Sequence, residues 1–181
     1  MICWRIEWLD RVSSTMDVAA ERAQRGAPAG TVIVADEQTA GRGREGRRWF
    51  APAGTSLLFT VIARPPLAVV QNPMLSVAIA ERVAAALMPL TGLPITIKEP
   101  NDLMVNGRKL AGILCQSRIT RDQVDYLLIG IGLNVNIPPD QLPLPTATSL
   151  LAETGRVFDR HALLDAVLHS LRELPGVWDL Q

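Results

Sequence analysis

Cysteine is scarce in this chain, with only Cys3 and Cys115 among 181 residues. Two thiols this far apart make neither a metal-binding spacing nor a disulfide framework. Cys115 sits inside the apolar run GILC and reads as a buried thiol. A reducing cytoplasm is the compartment this implies. Neither sign of charge is in excess, with 18 Lys and Arg against 18 Asp and Glu. A surface for DNA needs surplus cations to displace counterions, so the balance argues against general nucleic-acid binding while leaving room for a local basic site. No apolar run reaches membrane-spanning length, and no signal peptide is expected. No linker rich in Gly, Ser or Pro divides the chain, and the prolines stand singly or in pairs such as Pro65-Pro66 and Pro138-Pro139. With 48% apolar and 20% charged residues, one domain over 1–181 with a real core is expected.

What is present alternates between helices and strands. TMDVAAERAQR (15–25) has a helical pattern, with Ser14 or Thr15 to cap its start and Gly26 after its end. TVIVADEQ (31–38) and SLLFTVIA (56–63) are β-branched, apolar runs that predict strands. PMLSVAIAERVAAALMPLTG opens on Pro73 and closes on Gly92, the asymmetry of a helix. ITIK (95–98) predicts a brief strand, and Asn106-Gly107 a hairpin turn between two more. A further strand covers 124–137, interrupted by glycines, before a short helix near 148–154 and a longer one over 159–173 capped by Asp159. No regular βαβ rhythm runs through this order. An α+β fold with a mixed sheet flanked by helices is expected.

AGRGREGRRW (40–49) gathers three glycines and four arginines around one glutamate. GRGREG matches the glycine pattern of dinucleotide folds, but Pro52, Gly54 and a strand follow it where a helix is required. No Gly-Lys-Ser/Thr follows either, so a Walker loop fails. The composition still selects an anion. Glycines let backbone N–H groups turn inward on phosphate or carboxylate oxygens, and guanidinium forks grip them with two bonds. Four like charges repel one another, which predicts a mobile loop that orders on an anionic ligand.

Lys98 ends a strand just before Pro100, and Lys109 follows the hairpin turn. Each can set a compact charge over a cleft. Asn101 and Asp102 sit at the break, where a carboxylate can help hold a divalent ion beside phosphates, or where both serve only the turn. GIGLNVN puts Gly130 and Gly132 inside a strand, a sign of close approach by ligand or backbone, with Asn134 and Asn136 on one face. His161 and His169 lie on the last helix, away from these motifs, and take no role.

Taken together, GRGREGRRWFAPAGTSLLFTV, KEPNDLMVNGRKLAGILCQ, GIGLNVN and ATSLLAETG resemble, in order and spacing, the biotin–protein ligases. The resemblance runs from about Ser13 to the C-terminal helix. It implies a mixed sheet related to the class II aminoacyl-tRNA synthetases and a two-step reaction. Biotin and Mg-ATP would give biotinyl-AMP, and a lysine on a biotin carboxyl carrier domain would then be acylated. Biotin contacts would come from Ser14, Thr15, Gln38, Arg42, Gly43, Arg44, Lys98, Gly112, Gly130 and Gly132. ATP contacts would come from Arg44, Arg47, Trp49, Asn101, Lys109 and Asn134, with Asp102 as a candidate Mg2+ ligand. Lys98, Arg44 and Arg42 would carry the catalytic charge. Homodimers through sheet edges occur in such relatives.

Three positions depart from the family pattern: Glu99 replaces a usual Trp, Met16 a common Asn, and Ala51 a frequent Ser. Glu99 either points away from Lys98 or pairs with it and weakens its grip. Neither an N-terminal winged helix nor a C-terminal SH3-like barrel is expected in this chain. Two rival readings remain: a lipoate or octanoate ligase, and a non-catalytic biotin or biotinyl-AMP sensor.

Overall fold

Thr31–Gln38 (β2) and Ser56–Ala63 (β3) are strands over the same residues as the β-branched runs, in a computed structural model that describes residues 2–178. They lie in a seven-stranded sheet with Arg5–Val12 (β1), Thr96–Lys98 (β4), Asp102–Val105 (β5), Arg108–Thr120 (β6) and Gln123–Asn134 (β7). The order is β1-β2-β3-β7-β6-β5-β4, with β1 and β2 parallel and every other pair antiparallel. The mixed sheet expected from the sequence is therefore present. Helices are Thr15–Gln24 (α1), Leu67–Val70 (α2), Leu75–Thr91 (α3), Leu150–Thr154 (α4) and Arg160–Leu171 (α5).

Capping chemistry sets the helix ends. Ser14 Oγ accepts from Met16 N at α1, Ser149 from Ala152 N at α4, and Asp159 from His161 N at α5. Gly92 ends α3 at φ 72°, a left-handed position that glycine takes without strain. Asn106 (φ 50°) and Gly107 (φ 75°) form the tight β5–β6 turn.

Two elements escape the sequence reading. β1 is an edge strand with both faces half exposed, so its charged sequence RIEWLDRV shows no apolar alternation. α2 is a single turn that starts after Pro66. The final strand is also shorter than 124–137. It stops at Asn134, where Asn136 N turns to donate to Thr55 O.

Alternation along the strands gives the sheet two faces. Val34, Phe59, Ile129 and Ile131 face α3 and α5 in the main core. Ile33, Ile62, Tyr126 and Leu128 face α1 through Met16, Ala19 and Ala23. Each fully buried Leu or Ile contributes about 1.5–3 kcal/mol of apolar burial. Cys115 is half-buried beside Ser76, and burial pushes its thiol up to about 11, which suits a packing residue rather than a nucleophile. No helix among the described residues is long and apolar enough to cross a membrane.

A polar cluster ties β1, β2 and α5 together. Trp8 Nε1 donates to Asp36 Oδ1 at 2.9 Å, and Arg160 Nη1 lies 2.8 Å from the same oxygen. His161 stacks on the Trp8 ring at 4.1 Å, so this histidine has a packing role outside the cleft described below. Burial raises the Asp36 carboxyl, but the Trp8 bond and the Arg160 bond and charge outweigh it and hold the pKa below its ordinary value. The resulting stability is present above the unfolded carboxylate pKa and is lost as pH falls through the lower folded value. Asp36→Asn is expected to lower the urea midpoint at neutral pH, with the gap closing in acid. Urea titrations across that range measure it.

Candidate active site

Beside α1, on the sheet face away from α3 and α5, lies a cleft of about 970 Å³. Its floor is made of glycine. Gly112 on β6 and Gly132 on β7 are direct cross-strand partners, and Gly130 follows two residues away on the same face. A Cβ at Gly132 would lie 2.6 Å from Trp49 Cε2, and one at Gly112 would lie 3.0 Å from Trp49 Cζ3. A Cβ at Gly130 would lie 2.6 Å from Met16 Sδ. The three glycines therefore let an indole and a thioether rest directly on the strands.

One wall is the N-terminus of α1. Gln38 Oε1, at the end of β2, accepts from Thr15 N at 2.8 Å and from Thr15 Oγ1 at 3.1 Å. Thr60 Oγ1 donates in turn to Thr15 Oγ1 at 2.9 Å. Thr60 is absent from the sequence reading. Its only signal is a hydroxyl in the middle of the apolar run SLLFTVIA. Ser14 and Thr15 are buried but reach the cleft surface.

A second wall is the arginine loop. Arg42 and Arg48 pair as a short antiparallel bridge, and Arg44–Gly46 forms a single turn at its tip. Gly41 is required by contact, since a Cβ there would lie 2.5 Å from Trp49 O. The sequence reading leaves the four guanidinium groups to repel one another. In the structure each has a partner of its own. Arg42 Nη2 lies 2.6 Å from Asp17 Oδ1 on α1, and Arg47 Nη2 3.1 Å from Glu45 Oε2. Arg44 Nη1 donates to Asn101 Oδ1 at 3.2 Å, and Arg48 Nη2 to Thr39 O at 3.1 Å. Asn101 is itself pinned, because its Nδ2 donates to Ile113 O at 2.8 Å.

The far wall comes from β4, β5 and β6. Lys98 is exposed, lines the cleft and forms no ion pair among the described residues. Glu99 also lines the cleft, and no ion pair joins it to Lys98. Lys109 Nζ lies 2.7 Å from Asp102 Oδ1 and 5.6 Å from the Trp49 ring centroid. Asp102 is thus the first residue of β5 rather than part of a turn. No group of three or more His, Cys, Asp or Glu gathers among the described residues. Asp102 without a cluster of further carboxylates suits magnesium that keeps most of its ligands from water and phosphate, rather than a protein-made cage.

Apart from Asp102 Oδ1, which pairs with Lys109, two buried polar atoms of cleft-lining residues have no hydrogen-bond partner among the described residues. Asn134 Nδ2 donates to Thr148 O at 2.9 Å, so its amide oxygen is left free. Trp49 Nε1 is the other. Buried polar atoms without partners are costly, and a ligand that bonds them relieves that cost. Asn136 does not join Asn134. Beyond β7 it exchanges two hydrogen bonds with Phe158 instead. Every other predicted residue lines this one cleft: Ser14, Thr15, Gln38, Arg42, Gly43, Arg44, Arg47, Trp49, Lys98, Asn101, Asp102, Lys109, Gly112, Gly130, Gly132 and Asn134.

The arrangement suits two joined anions. Thr15 and Gln38, the cations Lys98 and Arg44, and the Trp49 indole line the same cleft. Comparison with known proteins identifies the family. Residues 8–134 match the Biotin/lipoate A/B protein ligase family. The bifunctional ligase/repressor BirA of Bacillus subtilis is 38% identical over 162 residues, which cover 88% of this chain and 50% of the relative. This chain thus spans about half the length of that curated relative. The biotin protein ligase of Aquifex aeolicus in complex with biotin and ATP superposes with a TM-score of 0.79 at 33% identity, covering 93% of this chain and 69% of that one. The biotin protein ligase of Leishmania major in complex with biotinyl-5-AMP gives 0.77 at 32% identity, covering 96% and 76%.

Proposed function

The chain belongs to the biotin/lipoate A/B protein ligase family, and from that premise we propose that its cleft activates biotin with ATP. In the first step a biotin carboxylate oxygen attacks the α-phosphorus of ATP. The bond to the bridging oxygen breaks, pyrophosphate leaves and biotinyl-AMP remains. In the second step the neutral amine of a lysine on a biotin carboxyl carrier domain attacks the anhydride carbonyl. An amide forms, AMP departs with the bonding pair, and the amine proton is released.

The observation that carries this reading is the placement of Lys98 and Arg44. Among the described residues, Lys98, Arg44 and Arg48 are the cleft-lining cations without a carboxylate partner, and Arg48 is held instead against Thr39 O. The charge of Lys98 and Arg44 remains available to offset the repulsion between a carboxylate and a triphosphate and to stabilise the transferring phosphoryl group. Thr15, Gln38 and the floor at Gly130 suit the biotin half. Trp49, Asn134 and Lys109 suit the nucleotide half, where Asn134 Oδ1 is a free acceptor for an amino group. Asp102 would hold a magnesium ion accompanying ATP, which would offset phosphate charge. No covalent nucleophile is required of this chain, since the acceptor lysine belongs to the partner.

The test is direct. Purified protein is given ATP, biotin and a carrier domain. Pyrophosphate release with a matching mass gain on the carrier is expected. Biotin binding without pyrophosphate release would overturn the reading in favour of a sensor.

A further inference from the structure

The run ATSLLAETG contains Glu153, which the proposed chemistry leaves without a task. Glu153 does not line the cleft, yet its side chain is only 5% exposed. Burying a carboxylate is costly unless it is well paired. Here Oε1 receives Arg108 Nη2 at 2.7 Å and Thr148 Oγ1 at 2.5 Å, and Oε2 receives Asn106 Nδ2 at 2.9 Å. Helix α4 does not need this carboxylate for its start, because Ser149 already caps it.

The three partners lead to the nucleotide half of the cleft. Asn106 lies in the turn that delivers Lys109, and Arg108 directly follows it. Thr148 belongs to a short strap that runs parallel to the backbone at Lys109. Lys109 N donates to Thr146 O at 2.8 Å, and Thr148 N donates to Lys109 O at 2.8 Å. The Thr148 carbonyl also takes the Asn134 amide, which fixes which atom of Asn134 stays free. One carboxylate thus clamps the two segments that set Lys109 and Asn134. None of its bonds leads to Thr15, Gln38 or Lys98.

Resting on the function proposed above, we infer that Glu153 is a positioning residue for the nucleotide half of the cleft, acting through Thr148 and Arg108 on Asn134 and Lys109. Calorimetric titration of biotin, and separately of a non-hydrolysable ATP analogue, tests it on wild type, Glu153→Ala and Glu153→Gln. Nucleotide affinity is expected to fall about tenfold in Glu153→Ala, and less in Glu153→Gln, which keeps an acceptor oxygen. Biotin affinity is expected to stay unchanged in both. Should the Glu153 variants fail to fold, Thr148→Val removes only one hydroxyl partner and is expected to move the same way. Equal losses for the two ligands, as a general loosening would give, overturn the inference, as does an unchanged nucleotide affinity. A wild-type chain that binds neither ligand overturns the function itself. One that binds both without turnover leaves the affinity split decisive.

Discussion

Lys98→Ala is expected to slow biotinyl-AMP formation by about 10²- to 10³-fold, the usual effect of deleting one aimed electrostatic group. The melting temperature should not change, because Lys98 is exposed and makes no ion pair among the described residues. Two unit charges about 4 Å apart interact by about 4 kcal/mol at an effective dielectric near 20, enough for a loss of that size. Arg42 provides the comparison. Its guanidinium already faces Asp17 at 2.6 Å, so most of its charge is offset before any substrate arrives. Arg42→Ala should therefore cost less than Lys98→Ala, although both residues line the same cleft. Pyrophosphate release at saturating substrates ranks the two. Equal rates for wild type and Lys98→Ala would remove the lysine from the chemistry. That ranking also bears on Glu99, which the sequence leaves free to neutralise Lys98 but which forms no pair with it.

Gly132→Val is expected to weaken ATP binding by about tenfold or more, the loss of one good aromatic contact surface. The position has no unusual backbone demand, so the cause is crowding alone. A Cβ would meet Trp49 Cε2 at 2.6 Å and Cζ2 at 2.9 Å, before valine's two methyls are added. Strand β7 is held between β3 and β6 and cannot yield, whereas Trp49 stands on a loop. The indole is what must move. Biotin affinity should change less, because the three nearest atoms to that Cβ all belong to the indole and none to Thr15 or Gln38. Separate titrations with ATP and biotin measure the split, and full ATP affinity in the variant would mean that the Trp49 ledge is not part of the nucleotide site.

Much of this site was legible in the chain as written. The strands at 31–38 and 56–63, a cap at Ser14 or Thr15, the cap Asp159 and the Asn106-Gly107 turn all follow from neighbouring residues. Each depends on local stereochemistry that a few contiguous side chains dictate. The anion chemistry of AGRGREGRRW is equally local, and the spaced motifs pointed to the family. β1 was not legible, because an edge strand with two half-exposed faces carries no apolar period.

The pairing of the charges was settled by the fold. Arg42 meets Asp17, Arg44 meets Asn101 and Lys98 meets no carboxylate, and no spacing rule distinguishes these three cations. Gly112 and Gly132 face each other only through the β6–β7 register, and Glu153 reaches Asn106 from 47 positions away. Local geometry is written in adjacent residues, whereas ion pairing and cross-strand register arise only when distant segments are brought together, and in this protein those distant contacts determine which charges are left for a ligand.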